Sequence, residues 1–349
     1  MLKTLQAGRG FAALSVVAFH LSLMMGVPRY GGQPIFEEYT SRGHLGVDFF
    51  FVLSGFVILF AHAEDIGRPG RWGRYAYRRF VRLFPIYWLY TGTFLLLIAL
   101  GFGTEGHLSG GVLDVLANAM LVKLSSSPPP ISVAWSLFHE IAFYAIFSVL
   151  ILHKRAGLVL FALWAAVCLV FFHFQKETPF QVYTAAFNLY FLFGMGAYFL
   201  FKQPGFGALE TVAGLAVFGV TLATFPSEHL ASRLLVVAGL TLILIGVAKL
   251  ELRGYIKVPA VLSFLGDASY SIYLTHLAFA GVLLKGVTKA HLAAALGGEG
   301  VYMVVFAGTV SLACLAYWFV ERPLLNGMRS RRTGVSVSAS SPNKATAGH

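Results

Sequence analysis

The sequence predicts an all-α, polytopic membrane protein of about ten transmembrane spans with both termini in the cytoplasm. Three observations carry that reading. Of the 349 residues 57% are hydrophobic, only 12% are charged, and the apolar residues fall in long continuous runs. Soluble domains carry about 25% charged residues, and a mean hydropathy of +0.74 is too high for a water-facing surface. These figures exclude a soluble enzyme, a disordered chain and a disulfide scaffold. Continuous runs also exclude a transmembrane barrel, whose strands alternate apolar and polar residues. Cys168 and Cys314 both lie inside apolar runs and read as small packing residues.

Apolar runs occupy residues 10–27, 44–62, 83–102, 131–152, 156–174, 180–201, 207–225, 231–249, 262–285 and 299–320. Turn chemistry or charge separates them: Pro28 with Gly31 and Gly32, Gly67 to Gly73, Ser125 to Pro130, His153-Lys154-Arg155, Gln203-Pro204-Gly205, and Pro226-Ser227. The first run is read as a retained span, because His20 interrupts it and no small-x-small cleavage site follows. Val112 to Leu124 is too short to span and carries Asp114, Asn118 and Lys123, so an amphipathic helix against the outer face is expected. One membrane domain covers residues 1–326. Residues 327–349, rich in Ser, Ala, Arg and Gly, read as a disordered, basic cytoplasmic tail.

Basic residues set the orientation. With the N-terminus inside, only Arg29, Arg42, Lys123, Lys176, Arg233, Lys285 and Lys289 of the 26 Lys and Arg fall outside. The net charge of +11 is therefore read as topology, and no nucleic-acid partner is expected.

Ionisable residues inside spans are informative, because each costs roughly 2.5–3.5 kcal/mol on insertion scales. His20, Asp48, Glu140 and His276 are four. Helix rise puts His20 about 10 Å, Asp48 about 6 Å and Glu140 about 13 Å below the outer end of their runs. His276 lies about 21 Å from the inner end of its own run. Four such residues at comparable depth suggest one shared polar cavity.

Arginines gather at the opposite face. Arg68, Arg71, Arg74, Arg78, Arg79 and Arg82 fill the second loop and lead into the third span, with no lysine among them. Guanidinium forks match phosphate oxygens bidentately, whereas ammonium groups do not. A phosphate-rich cytosolic ligand follows. Arg9 lies at the same face, eleven residues or about 16 Å along a helix from His20. An extended pantetheine arm has that reach, so a coenzyme A thioester anchored on the arginines would bring its acyl carbon to His20.

Six segments then resemble, in order, the integral-membrane acyltransferase family 3. Arg9-Gly10-Phe11-Ala12-Ala13-Leu14 followed by His20 resembles the family's opening, with an Arg and a His separated by ten residues. Gly46-Val47-Asp48-Phe49-Phe50-Phe51-Val52-Leu53-Ser54-Gly55-Phe56 resembles its second signature. Arg78-Arg79-Phe80-Val81-Arg82-Leu83-Phe84-Pro85 resembles its arginine motif. Trp135-Ser136-Leu137-Phe138-His139-Glu140-Ile141-Ala142-Phe143-Tyr144 resembles its Trp-Ser-Leu…Glu…Phe-Tyr motif. Ser269-Tyr270-Ser271-Ile272-Tyr273-Leu274-Thr275-His276 and Glu321-Arg322-Pro323 resemble the closing motifs.

The resemblance implies transfer of an acyl group, often acetyl, from acyl-CoA to a hydroxyl, usually of a carbohydrate, at the lipid bilayer of the bacterial inner membrane. It implies that His20 is catalytic and that Arg9, Arg78, Arg79 and Arg82 engage the donor. Neutral imidazole at pH 7 suits a general base, and Asp48 or Glu140 would orient His20 in the manner of a triad's third member. The oxyanion needs donors; Tyr270, Tyr273 or an arginine are the candidates, with His276 as a further cavity residue. A covalent acyl-histidine is the rival mechanism.

Other patterns carry less. Ser54 and Ser136 lack a nucleophile elbow. His139-Glu140 opens a zinc-protease pattern, but position 143 is Phe, so no metal is expected. Gly101-x-Gly103-x-x-Gly106 follows an apolar span and is read as a loop, and Gly194-x-Gly196 as close helix packing. The alternative function is a proton-coupled transporter using His20, Asp48 and Glu140 as a relay. Such transporters tend to have two similar halves, and the arginine cluster has no counterpart in the second half. A lipid-binding scaffold would explain the arginines but leaves the buried acids without a role.

Overall fold

The structure, a computed structural model, describes residues 2–100, 111–126, 128–173, 180–226 and 229–328. Fourteen α-helices follow one another: α1 Lys3–Met25, α2 Glu37–Thr40, α3 Leu45–His62, α4 Trp72–Ala99, α5 Val112–Ala119, α6 Trp135–Leu152, α7 Lys154–Val170, α8 Gln181–Thr184, α9 Phe187–Lys202, α10 Ala208–Thr224, α11 Leu230–Leu252, α12 Ala260–Asp267, α13 Ser269–Lys289 and α14 Ala293–Ala316. Among the described residues there is no strand. Eight helices, namely α1, α3, α4, α6, α9, α11, α13 and α14, are long and apolar enough to cross a membrane. α7 and α10 fill the two remaining apolar runs with 17 residues each, about 25 Å of helix. The protein is thus an all-α, multi-pass membrane protein.

Local chemistry sets several breaks. The His153 imidazole caps α7, accepting from the Ala156 amide at 3.2 Å. Gly207, at φ 87°, precedes α10, and Glu210 accepts from its amide at 3.0 Å while Lys249 of α11 donates to the other carboxylate oxygen at 2.7 Å. The carboxylate of Glu251 accepts from the Lys3 and Thr4 amides, both at 2.8 Å, and from the Thr4 hydroxyl at 2.6 Å. It satisfies amides that α1 leaves without intrahelical partners.

α3 is packed against α1, α6, α9 and α11 at the centre of the bundle. Gly55 of α3 faces the Phe191 carbonyl and Gly194 of α9 faces the Val52 carbonyl, and a Cβ at either position would overlap that oxygen. Small residues at such a crossing let two membrane helices approach closely. Around the crossing, Phe143 stacks on Phe191 at 4.4 Å between centroids, and Phe51 packs on Trp135, His139 and Phe187.

Three boundaries differ from expectation. α4 begins at Trp72, eleven residues before its apolar run, so Arg74, Arg78, Arg79 and Arg82 lie on helix and only Arg68 and Arg71 precede it. Apolarity located the membrane-buried part of that helix, while nothing in Trp72 to Arg82 breaks the turn. The run 262–285 is two helices divided at Ala268. His276 is consequently seven residues, about 10 Å, from the start of its own helix rather than 21 Å. The amphipathic segment is helical only over Val112–Ala119, where the Asn118 and Ala119 carbonyls accept from Tyr87 and Trp88 of α4. Gly327 and Met328 continue a helix, and the remainder of the expected tail lies outside the described residues, as does the Gly101 to Gly106 loop.

Candidate active site

A pocket of about 800 Å³, its open mouth included, lies between α1, α3, α4, α6 and α13. Arg9, Arg79, Arg82, Glu140, Tyr144, Tyr270 and Tyr273 contribute to its wall, with Ser54, Ser136 and Ser269. Each helix delivers its residues by 3.6-residue periodicity. Glu140 and Tyr144 are one turn apart on α6, and Ser269, Tyr270 and Tyr273 stand on the first two turns of α13.

The arginines dominate its electrostatics. Arg9 donates to the Ser269 hydroxyl from Nη2 at 2.9 Å and from Nε at 3.1 Å. Arg79 lies near the Tyr144 ring, 5.6 Å from its centroid, and its Nε is buried without a hydrogen-bond partner among the described residues. None of Arg9, Arg79 and Arg82 makes an ion pair among the described residues. Glu140 accepts instead from Ser54 at 3.3 Å and from the Tyr144 hydroxyl in a short bond. Arg78 is exposed and does not line the pocket.

Both tyrosine hydroxyls already spend their hydrogens. Tyr270 donates to the Leu83 carbonyl at 3.0 Å, and Tyr273 to the Val133 carbonyl at 2.9 Å. The Ser136 hydroxyl sits 2.8 Å from the Tyr273 oxygen and 3.3 Å from the same Val133 carbonyl.

The other ionisable residues separate. His20 and His276 do not line the pocket. They pair with each other: His276 Nε2 lies 3.1 Å from His20 Nδ1, and the ring centroids are 5.0 Å apart. The pair sits one turn beyond Tyr273, whose ring centroid is 6.1 Å from that of His276. Asp48 is buried on α3, neither lines the pocket nor bonds to His20 among the described residues, and Arg233 is the charge that acts on it. The single polar cavity expected for all four residues is therefore divided three ways. Glu140 faces the arginines, the histidines pair, and Asp48 stands elsewhere.

Sequence reasoning passed over a second buried acid. A π-turn, Tyr317–Glu321, follows α14 and carries Glu321 into the protein. There Glu321 accepts from Ser271 at 2.5 Å, and Ser271 in turn lies 2.7 Å from the Tyr90 hydroxyl. Its charge acts on Arg9. Glu321 lies one residue past the tenth apolar run, so only the Glu-Arg-Pro motif could have marked it. His139, by contrast, is held by Asn188 at 2.9 Å within the aromatic core.

Fold and site together define a multi-pass, all-helical membrane protein with an arginine-lined pocket. The family model described as an acyltransferase domain matches residues 2–319, and the chain belongs to that family. It is 32% identical over 325 residues to the exopolysaccharide production protein ExoZ of Rhizobium meliloti (strain 1021), covering 86% of this chain and 95% of that one. It is 27% identical to the acyltransferase MdmB of Streptomyces mycarofaciens, covering 93% and 89% of the two chains. Protein 2 in the picA locus of Rhizobium radiobacter is 31% identical over 161 residues, 40% of this chain and 77% of that one. No solved structure matches the chain.

Proposed function

We propose that the protein transfers an acyl group, acetyl in the first instance, from cytosolic acyl-CoA to a hydroxyl of a carbohydrate, with His20 as general base. The observation that carries this reading is the convergence of Arg9, Arg79 and Arg82 on one pocket with no carboxylate in ion-pair reach among the described residues. Arg9 and Arg79 are half-buried and Arg82 is exposed at the pocket, and half-buried cations without an acidic partner are costly unless a ligand anion completes them. The phosphates of coenzyme A supply that anion, the guanidinium forks matching its oxygens.

The acyl end then extends along α1 past Tyr273 to His20. His20 takes the proton of the acceptor hydroxyl while that oxygen attacks the thioester carbon. Collapse of the tetrahedral intermediate breaks the C–S bond, and the proton passes from His20 to the departing thiolate. The carbohydrate acceptor rests on the name of the exopolysaccharide relative. The bacterial inner membrane, with both termini in the cytoplasm, rests on the basic-residue distribution.

The test uses purified protein in nanodiscs with radiolabelled acetyl-CoA and oligosaccharide from the host. Label transfer that is lost in His20→Ala, with the variant still inserted and binding coenzyme A, is the expected result. Normal turnover in that variant removes His20 as the base, and absence of any acyl-CoA consumption by the native protein removes the donor assignment.

A further inference from the structure

The proposed base meets no carboxylate. Among the described residues the side chain bonded to His20 is another histidine, and the hydrogens of the pair follow by elimination. Carbonyl oxygens only accept. His276 Nδ1 lies 2.8 Å from the Tyr273 carbonyl, so it carries the ring hydrogen. His20 Nδ1 lies 3.0 Å from the Val16 carbonyl, one turn back on α1, and carries a hydrogen that this carbonyl shares with His276 Nε2. The rings meet where His276 Nε2 approaches His20 Nδ1 at 3.1 Å. A neutral imidazole has one N–H. His276 Nε2 is therefore a bare lone pair, accepting from the N–H of His20. The lone pair of His20 is left on Nε2, which has no hydrogen-bond partner among the described residues.

We infer that His276 is the positioning residue of the reaction: its Nε2 lone pair, together with the Val16 carbonyl, holds His20 as the Nδ1–H tautomer and keeps the Nε2 of His20 free for the acceptor hydroxyl. The inference rests on the reading of His20 as general base. His276 is itself fixed, 1% exposed on α13 with its Nδ1 tied to the backbone. When His20 Nε2 takes a proton, its Nδ1–H···Nε2 bond to His276 becomes charge-assisted and strengthens. The arrangement does the work of a triad's acidic member without placing a permanent charge in the membrane interior, where one is expensive.

The test reads the tautomer directly. Full-length protein with ring-15N histidine is placed in nanodiscs, and the His20 signals are isolated by difference against His20→Ala. Native protein should show His20 protonated at Nδ1. His276→Phe, which removes one of the two acceptors of that hydrogen and leaves the Val16 carbonyl, should shift His20 partly toward the Nε2–H form, whereas His276→Gln, which returns an oxygen acceptor, should restore the native ratio. Kinetics should follow: kcat falls about 100-fold in His276→Phe with the KM for acetyl-CoA within about twofold, and His276→Gln recovers at least about tenfold of that loss. An Nε2–H His20 in the native protein, or one tautomer ratio across all three proteins, overturns the inference. If His276→Phe does not fold, the native spectrum and His276→Gln decide it. The spectrum needs no acyl donor, so a native protein inactive toward acyl-CoA but showing this tautomer pattern sinks the proposed function while the hydrogen-bond relay stands.

Discussion

The hydroxyls of Ser136 and Tyr273 lie 2.8 Å apart across α6 and α13, and the Tyr273 hydrogen is donated to the Val133 carbonyl at 2.9 Å. Phe50 packs on the Tyr273 ring, and all three residues line the arginine pocket on the side next to the histidine pair. Because its hydrogen is committed, the Tyr273 phenol is a poor oxyanion donor. Tyr273→Phe should therefore keep kcat within about tenfold of native, whereas loss of a true oxyanion donor costs about 100-fold or more. The same variant removes one of two donors to the Val133 carbonyl, the Ser136 hydroxyl remaining at 3.3 Å, and should lower stability by about 0.5–1.5 kcal/mol, read as a fall in melting temperature. A 100-fold loss of kcat with unchanged acetyl-CoA affinity would return Tyr273 to the oxyanion role.

The sequence revealed the bundle because membrane helices must pair their backbone internally and bury apolar runs. Each of the ten runs holds a helix. Apolarity is blind to helix that extends into water, and so it missed the first turns of α4. It is equally blind to the break at Ala268, although Gly266 and Asp267 stand directly before it. Within the site, the arginines and Glu140 were recognisable as ionisable residues beside a membrane span. Depth along a helix does not give the face a residue occupies, so Asp48 was grouped with His20 although the two do not bond among the described residues and Asp48 does not line the pocket. The His20–His276 bond joins positions 256 residues apart and is a property of packing alone.

The α3–α9 crossing should tolerate no added side chain. Gly194→Leu places its Cβ against the Val52 carbonyl, and overpacking of this kind typically costs about 1–3 kcal/mol. Gly196, two residues along the same helix, faces open space: a Cβ there would meet nothing within 4 Å, so Gly196→Ala should leave the melting temperature unchanged or slightly raised. Equal destabilisation by both would mean that the close crossing at Gly194 is not what sets the cost, since both substitutions raise helix propensity.

Glu251 is expected to hold the start of α1. Glu251→Ala removes the acceptor of two amides and a hydroxyl, a change comparable to losing an N-cap, about 0.5–2 kcal/mol. Arg9 lies on the second turn of α1, so fraying should also loosen its bond to Ser269 and weaken donor binding. Thermal unfolding and coenzyme A titration on the same sample check both effects. An unchanged melting temperature would mean that water caps these amides equally well.

Arg79 and Arg82 should differ from lysine at the same positions. Each guanidinium offers a fork to a phosphate, and the buried Arg79 Nε in particular is a donor that an ammonium group cannot replace. Hydrogen bonds to charged groups are worth about 1.5–3 kcal/mol, which corresponds to roughly a 10- to 100-fold rise in the dissociation constant for coenzyme A in Arg79→Ala. Arg79→Lys should recover only the part due to charge. Arg78→Ala is the control: that side chain is exposed and outside the pocket, and its loss should change affinity by less than about threefold, within the range of a surface charge. If Arg78→Ala weakens binding as much as Arg79→Ala, the arginines act as a diffuse cationic field and the pocket has no defined phosphate contact. Isothermal titration in nanodiscs, repeated across ionic strength, separates the two cases, because a diffuse field is screened by salt far more than a buried fork.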